Sequence, residues 1–251
     1  MQWRDDAIVL GTRRHGETSL VLEVMTRERG RSLGLVKGGR SPRYAAKLQP
    51  GNGLDVTWRA RLDEHLGNFA VEPMTLRASS LMETALGLNA VQTLASHLRL
   101  LPERDPHPEL YDAMVQVLDH IHAPDESDAL EPVVVGGLIV RFELLILDAL
   151  GFGLDLDECA LTGATEDLAY VSPRTGRAAS RAAGLPWQDK LIALPAFLNE
   201  GTSDHAPDAS DVHAGFRLTG HFFQLHVWGP RGLSVPLTRE ALVSGLKQQA
   251  S

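Results

Sequence analysis

The chain has 251 residues, 43% of them hydrophobic and 22% charged, a composition that suits one large globular domain or two ordinary ones and argues against extensive disorder. Its 24 Lys and Arg stand against 32 Asp and Glu, a net charge of −8, and its single cysteine, Cys159, excludes an intramolecular disulfide framework and fits a reducing compartment. No apolar leader follows the N-terminus, and the most apolar run, residues 133–150, is interrupted by Arg141, Glu143 and Asp148, so secreted and membrane-spanning classes are set aside and a cytoplasmic protein is expected.

In chain order, residues 7–10, 19–25, 33–36, 54–58 and 68–72 read as five short strands, rich in β-branched and aromatic residues and punctuated by Gly, Pro or Asn. Five strands in about 70 residues without a helix-length periodic segment predict a small barrel, either an OB-fold or an SH3-like barrel. After Pro73 the period changes. Residues 79–101 place Leu81, Ala85, Leu88, Val91, Leu94, Ala95 and Leu98 at helical spacing and stop at Pro102. A second helix is expected over 109–121 and an acidic loop over 123–129. The longest helix is expected over 130–150, where the Gly136-Gly137 pair costs about 1 kcal/mol per glycine unless another helix packs closely against it. Gly151 and Gly153 are expected to end it in the left-handed conformation. Residues 154–186 read as irregular apart from an apolar run at 168–171, and helices are expected again near 187–199, 209–228 and 238–248. The chain is therefore expected to be α+β, mainly α by content, with a barrel over residues 1–77 and a helical domain over 78–251.

Charge is distributed unevenly over these parts. Residues 1–80 hold 13 basic and 9 acidic groups, and residues 81–251 hold 11 and 23. The excess is sharpest over residues 27–47, where Arg27, Arg29, Arg31, Lys37, Arg40, Arg43 and Lys47 face one acid, Glu28. Interspersed glycines and serines make the segment read as a mobile loop. Basic side chains of one sign on an acidic protein point to a polyanion, because Lys and Arg gain affinity by releasing the counterions of phosphates. Tyr44 and Trp58 offer ring faces on which bases could stack. The plain alternative is a solvated charged loop.

Signs of catalysis are scarce. No phosphate-binding Gly-x-x-x-x-Gly-Lys loop, nucleophile elbow or His-Glu-x-x-His helix is present, so neither ATP use nor any enzymatic activity is expected. His120 and His122 would diverge by about 200° on a helix, and His221 and His226 also miss same-face spacing. Asp155, Asp157 and Glu158 form an acidic cluster without a metal-ligand spacing, the weak basis for a nuclease reading. Positions 159, 162, 180 and 183 have the spacing of two zinc-ribbon knuckles, but only Cys159 carries sulfur. Thr162, Ser180 and Ala183 cannot supply the missing thiolates, so no metal is expected there.

Taken in order, Asp6-Ala-Ile-Val-Leu, His15-Gly-Glu-Thr-Ser-Leu-Val-Leu, Thr26-Arg-Glu-Arg-Gly, Gly34-Leu-Val-Lys-Gly-Gly-Arg and Leu48-Gln-Pro-Gly-Asn resemble the N-terminal domain of the RecO family of bacterial recombination mediators. The likeness continues through the ribbon-like residues 159–183 and through Leu218-Thr-Gly-His-Phe-Phe and Pro236-Leu-Thr-Arg-Glu. The resemblance implies an N-terminal OB-fold and a helical C-terminal domain. It also implies binding of single- and double-stranded DNA, annealing of complementary strands, and work with RecR to load RecA onto DNA covered by single-strand-binding protein, whose acidic tail family members contact. By matching position, Lys37 and Arg40 carry over as DNA contacts. Arg13, Arg14, Arg29, Arg31, Arg43 and Lys47 are inferred from charge and location. Many family members hold zinc with four cysteines, and this chain departs from them. An RNA- or tRNA-binding OB adaptor is the alternative function, since the charges alone do not choose between nucleic acids.

Overall fold

The computed structural model describes residues 1–62, 64–122, 132–199 and 207–248. The acidic connection expected at 123–129 lies outside them. The chain divides into two compact units, Met1–Leu130 and Glu131–Ser251.

In the first unit, β1 (Gln2–His15), β2 (Ser19–Thr26), β3 (Gly30–Val36), β4 (Gly53–Arg59) and β5 (Asn68–Thr75) close into a barrel of order β1-β2-β3-β5-β4, with the short helix α1 (Pro42–Ala45) between β3 and β4. This is consistent with the expected OB-fold. All five expected strands form, and several run longer than their apolar cores. β1 gains most, because pairing with β4 from Gln2 to Ile8 and with β2 from Ala7 to His15 extends it at both ends. Side-chain alternation sends Ala7, Val9, Leu22, Val24 and Val56 inward to pack with Trp58 and Phe69. Gly34 is part of that closure: a Cβ there would lie 2.4 Å from the Phe69 ring.

Ile8, Leu10, Val21 and Met25 are also buried, yet they stand outside that inner cluster. Helices α2 (Ala78–Glu83), α3 (Ala85–Leu98) and α4 (Pro108–His122) come after the barrel, and α3 packs on β1 and α4 on β2. A strand apolar on both faces needs cover on both. For this reason the compact unit runs beyond the expected boundary near residue 78, which marks where strand gives way to helix. The single helix expected over 79–101 is broken at Thr84, whose backbone is extended (φ −127°, ψ 148°) and whose hydroxyl caps α3 by accepting from Gly87 N–H. The Arg77 guanidinium joins α2 to α4 through Asp119 at 2.5 Å.

The second unit is built on α5 (Pro132–Ala149). Its described apolar residues pack against α7 (Ala209–Phe223) and α9 (Leu237–Gln248). One glycine of the pair has the packing role its cost requires: a Cβ on Gly136 would meet Val212 Cγ1 at 2.6 Å and Leu246 Cδ1 at 3.0 Å, whereas one on Gly137 would meet nothing nearer than Pro207 Cγ at 3.3 Å. Gly151 is left-handed at φ +84°, ending the helix as expected. Gly153 is not among the positive-φ residues, and its role is different, since a Cβ there would strike the Asp148 carboxylate at 2.3 Å.

Residues 154–199 are more ordered than their sequence suggests. Strands β6 (Leu168–Val171), β7 (Ala178–Ser180) and β8 (Ile192–Ala193) form a sheet of order β7-β6-β8, with α6 (Arg181–Gly184) after β7. The helix expected over 187–199 does not form. Two 3-10 turns, Leu185–Lys190 and Ala196–Leu198, flank β8, and Pro195 sits before the second, where a continuous helix would have to pass. After α7 the chain passes through a π-turn, Gln224–Trp228, into the short α8 (Gly229–Arg231). Among the described residues, no helix is long and apolar enough to cross a membrane.

Candidate nucleic-acid interface

Strand register decides which basic residues can act together. Arg14 pairs with Leu20, and Leu20 pairs with Val36 on β3, so the ends of three strands coincide and Lys37 and Arg40 come directly after them. The link is also direct. Arg40 donates its backbone N–H to Thr18 O at 3.0 Å and its guanidinium to the carbonyls of Gly16 and Glu17 in the β1–β2 turn. Arg13, Arg14, Lys37 and Arg40 are thus gathered at one end of the barrel, and all four are exposed. Arg43 and Lys47 lie on and after α1 in the connection that leaves this end. Arg43 sits 5.8 Å from the Tyr44 ring centre. Among the described residues none of these six forms an ion pair, so their positive charge is not internally neutralised.

The remaining basic residues of the 27–47 segment belong elsewhere. Thr26 pairs with Gly30 at the opposite end of the β2–β3 hairpin, six residues from Val36, or about 20 Å at the rise of a strand. Arg29 is exposed in that distant turn. Arg27 there is held by Asp112 at 2.7 Å and Glu28 at 3.4 Å, and its hydrogen bond draws the Asp112 carboxyl below its ordinary range. Arg31 is half-buried and bonded to Glu23 at 3.0 Å. The segment is therefore not one mobile loop. Residues 30–36 are a strand of alternating burial, and the loop begins only after Val36.

Trp58 is not a stacking platform. It is 1% exposed, stacked on Trp3 at 5.7 Å between ring centres, and it donates its indole N–H to Leu66 O at 3.0 Å. Tyr44 is half-buried against the barrel core.

A cleft of about 670 Å³ opens on the outer face of β1, β2 and β3. Gly11, Arg13, Val21, Glu23, Arg31 and Leu33 line it from the barrel, and Gln92 of α3, Arg99 at the C-terminal cap of α3 and Glu103 line it from the other side. Glu23 lies at its centre, accepting from Arg31 Nη1 at 3.0 Å and from Arg99 Nε and Nη2 at 2.9 and 2.8 Å. Arg99 was not legible as a site residue. It is one of several charges ending a helix, and only the packing of α3 over β1 brings it to the barrel face.

In the second unit, three of the four ribbon-like positions, 159, 162 and 180, converge. Burial pushes the Cys159 thiol up, but hydrogen bonds from the Thr162 hydroxyl and from the Ser180 and Leu161 backbone outweigh it and bring the thiol down to about 6. Cys159 is buried, and its carbonyl accepts Gly163 N–H at 2.8 Å in a knuckle-like turn. The donor set is one sulfur and hydroxyls, which does not match a tetrahedral thiolate site. Among the described residues no group of three or more His, Cys, Asp or Glu could hold a metal ion. His122 bonds Ser80 through Nδ1 at 2.7 Å, and His221 bonds Pro173 O at 3.0 Å while His226 stacks on Phe152. Asp155 and Glu158 are tied to Arg177 at 3.0 and 3.3 Å, which leaves them as an ion-paired brace across the loop.

Residues 1–76 match the family described as Recombination protein O N terminal, and residues 88–233 match Recombination protein O C terminal. The chain is 58% identical over 244 residues to a DNA repair protein RecO of Rhizobium etli, covering 97% of this chain and 91% of that one. It is 54% identical over 248 residues to the DNA repair protein RecO of Mesorhizobium japonicum, covering 99% and 94%. The counterpart of that name in Agrobacterium fabrum is 55% identical over 243 residues, covering 97% and 92%.

Proposed function

Since the chain belongs to the RecO family, we propose that it acts in DNA repair as a non-enzymatic recombination mediator. In this reading it binds single- and double-stranded DNA, anneals complementary strands and, with RecR, helps load RecA onto DNA coated by single-strand-binding protein, whose acidic tail it also contacts. The site of action is the cytoplasm. The observation that carries the DNA-binding part is the gathering of Arg13, Arg14, Lys37 and Arg40 at one barrel end without an acidic partner, on a protein whose net charge is −8. Arg43 and Lys47 extend the same positive surface. Annealing rests on the same electrostatics: neutralised phosphates let two complementary strands approach with less repulsion.

The test is the double variant Lys37→Ala with Arg40→Ala. Each phosphate contact on a single strand contributes about −0.7 to the salt slope, which at 0.1 M salt amounts to about fivefold in affinity. Five contacts give a slope of about −3.5, and removing two should weaken binding by about 25-fold and flatten the slope to about −2.1. Affinity should be measured across a salt series for single-stranded DNA and RNA of equal length. Unchanged affinity for DNA would move the site off this barrel end, and a strong preference for RNA would replace the repair reading with an RNA adaptor.

A further inference from the structure

The outer face of β2 and β3 is where barrels of this topology commonly take up nucleic acid. Here that face holds a cleft that is positively furnished yet internally occupied. Arg13, Arg31 and Arg99 line it against two acids: the Glu23 carboxylate sits between Arg31 and Arg99, and the more exposed Glu103 lies 3.9 Å from Arg31. The arrangement resembles a bound anion: Arg31 Nη1 donates to Oε1 at 3.0 Å, and Arg99 Nε and Nη2 both donate to Oε2 at 2.9 and 2.8 Å, a convergence of charged donors that also suits phosphate oxygens. The protein invests in it. Gly11 leaves room for Arg99, because a Cβ at that position would lie 3.1 Å from Arg99 Nη2. Arg99 is further fixed by donating to Leu10 O at 3.3 Å, and Arg31 by donating to Leu101 O at 3.3 Å. The Arg31 Nε–H is buried without a hydrogen-bond partner, so the pair with Glu23 does not use all that this guanidinium offers. Arg13 reaches the cleft and also belongs to the positive barrel end, making the two regions continuous.

We infer that this cleft is a second phosphate site for a single nucleic-acid strand, held partly shut by Glu23 as an internal competitor. A strand that crosses the barrel end at Arg14, Lys37 and Arg40 continues past Arg13 along the outer face. Its phosphodiester displaces Glu23 from Arg99 and takes its place between the two arginines. No bond is made or broken; one anion replaces another. Glu23 lowers affinity by the competition it imposes, and it keeps the two arginines positioned when no strand is bound. The apolar, half-buried Leu33 and Pro50 at the cleft give bases a surface to lie on. The consequence is a strand that is held but readily released, which suits a protein that hands DNA on. This inference rests on the DNA-binding reading above and adds a regulated subsite to it.

The test exploits the opposite signs the competition requires. Binding of a fluorescently labelled oligothymidylate by the full chain should be followed by anisotropy over a salt series. Glu23→Gln should tighten binding by up to about fivefold at 0.1 M salt, the worth of one phosphate contact no longer opposed, and leave the slope near its native value because the contact itself is already made. Arg99→Ala, at a side chain 40% exposed and therefore tolerant of truncation, should weaken binding by a similar factor and flatten the slope by about 0.7. The double variant should lose the gain of the first. If the triad merely braced α3 against the barrel, both single variants would shift thermal unfolding and leave the affinity and the salt slope at native values, and the inference would be overturned. Should Glu23→Gln fail to fold, Arg99→Ala decides alone, an unchanged slope being the negative result. The variant pair at Lys37 and Arg40 serves as the control. If it weakens binding while Glu23 and Arg99 prove silent, the subsite is wrong and the DNA-binding reading survives; if it too is silent, the reading itself falls.

Discussion

Glu143 sits in the middle of the most apolar helix and is fully buried. Its carboxylate accepts from Arg239 Nε at 2.7 Å and Nη2 at 2.9 Å, and it also accepts the Thr219 hydroxyl. The guanidinium lies 5.3 Å from the Phe216 ring centre and 5.5 Å from that of Trp228, and it also donates to Phe216 O at 2.9 Å. Burial works against the Arg239 cation, but the attraction and hydrogen bonds of Glu143 outweigh it and hold the pKa above its ordinary value. Replacing Glu143 by Leu leaves that cation buried and uncompensated, at a cost of about 3–5 kcal/mol. With an unfolding entropy of about 2.1 cal/mol/K per residue, a unit of roughly 120 residues loses about 4 °C per kcal/mol. The expected drop in Tm is therefore about 12–20 °C, read by circular dichroism or calorimetry. Removing both partners, Glu143→Leu with Arg239→Met, should recover much of that loss, because no lone charge then remains. A single variant that costs under about 1 kcal/mol, or a double variant whose loss is the plain sum of the singles, would refute the claim that a desolvated ion pair organises the contact of α5, α7 and α9.

Two further outcomes are set by the geometry. At the glycine pair, Gly137→Ala meets nothing nearer than Pro207 Cγ at 3.3 Å and should be neutral or stabilising by up to about 1 kcal/mol, whereas Gly136→Ala must push Val212 or Leu246 aside and should destabilise by about 1–3 kcal/mol; denaturant midpoints compare them directly, and equal effects would count against the packing described. Cys159 has a folded pKa of about 6, below the unfolded value of about 8.5, so its contribution to stability is full above the unfolded value and is lost as pH falls through 6. Thiolate absorbance should therefore appear near pH 6 in the native protein, and Cys159→Ser should flatten the dependence of stability on pH between about 6 and 8.5; a thiol that first ionises at its ordinary value would contradict the hydrogen-bonded cage.

Much of the barrel was legible because its strands announce themselves twice, through β-branched residues and through turn glycines. Register was not. Arg29 and Arg40 are close in sequence, and only pairing with β2 reveals that a whole strand, with Arg31 on it, separates them. Trp58 illustrates a second limit. An aromatic residue in a nucleic-acid-binding barrel is as ready to fill the core as to face a base, and alternation along β4 decides for the core. The helix expected across Thr84 fails for a local reason: its apolar spacing is helical throughout, but a threonine whose hydroxyl can cap Gly87 offers the backbone an exit. Residues 187–199 fail for a tertiary one, since a strand there completes the small sheet beside Leu168–Val171. Glu143 stood out in the sequence as an interruption of an apolar run, while its partner, 96 positions away, did not.

The far half of β1 has an implication beyond its charges. β4 accompanies β1 only as far as Ile8, so from Gly11 to His15 the strand pairs with β2 on one side and has no ladder partner among the described residues on the other. An open edge of this kind is an invitation to a neighbouring chain, and exposed cations are a common means of refusing it. Arg13 and Arg14 thus repel their own kind with the same charges that the proposed function assigns to a phosphate backbone. Neutralising both would uncover a sticky edge along with a weakened contact, so self-association must be measured before any loss of binding in such a variant is assigned to DNA.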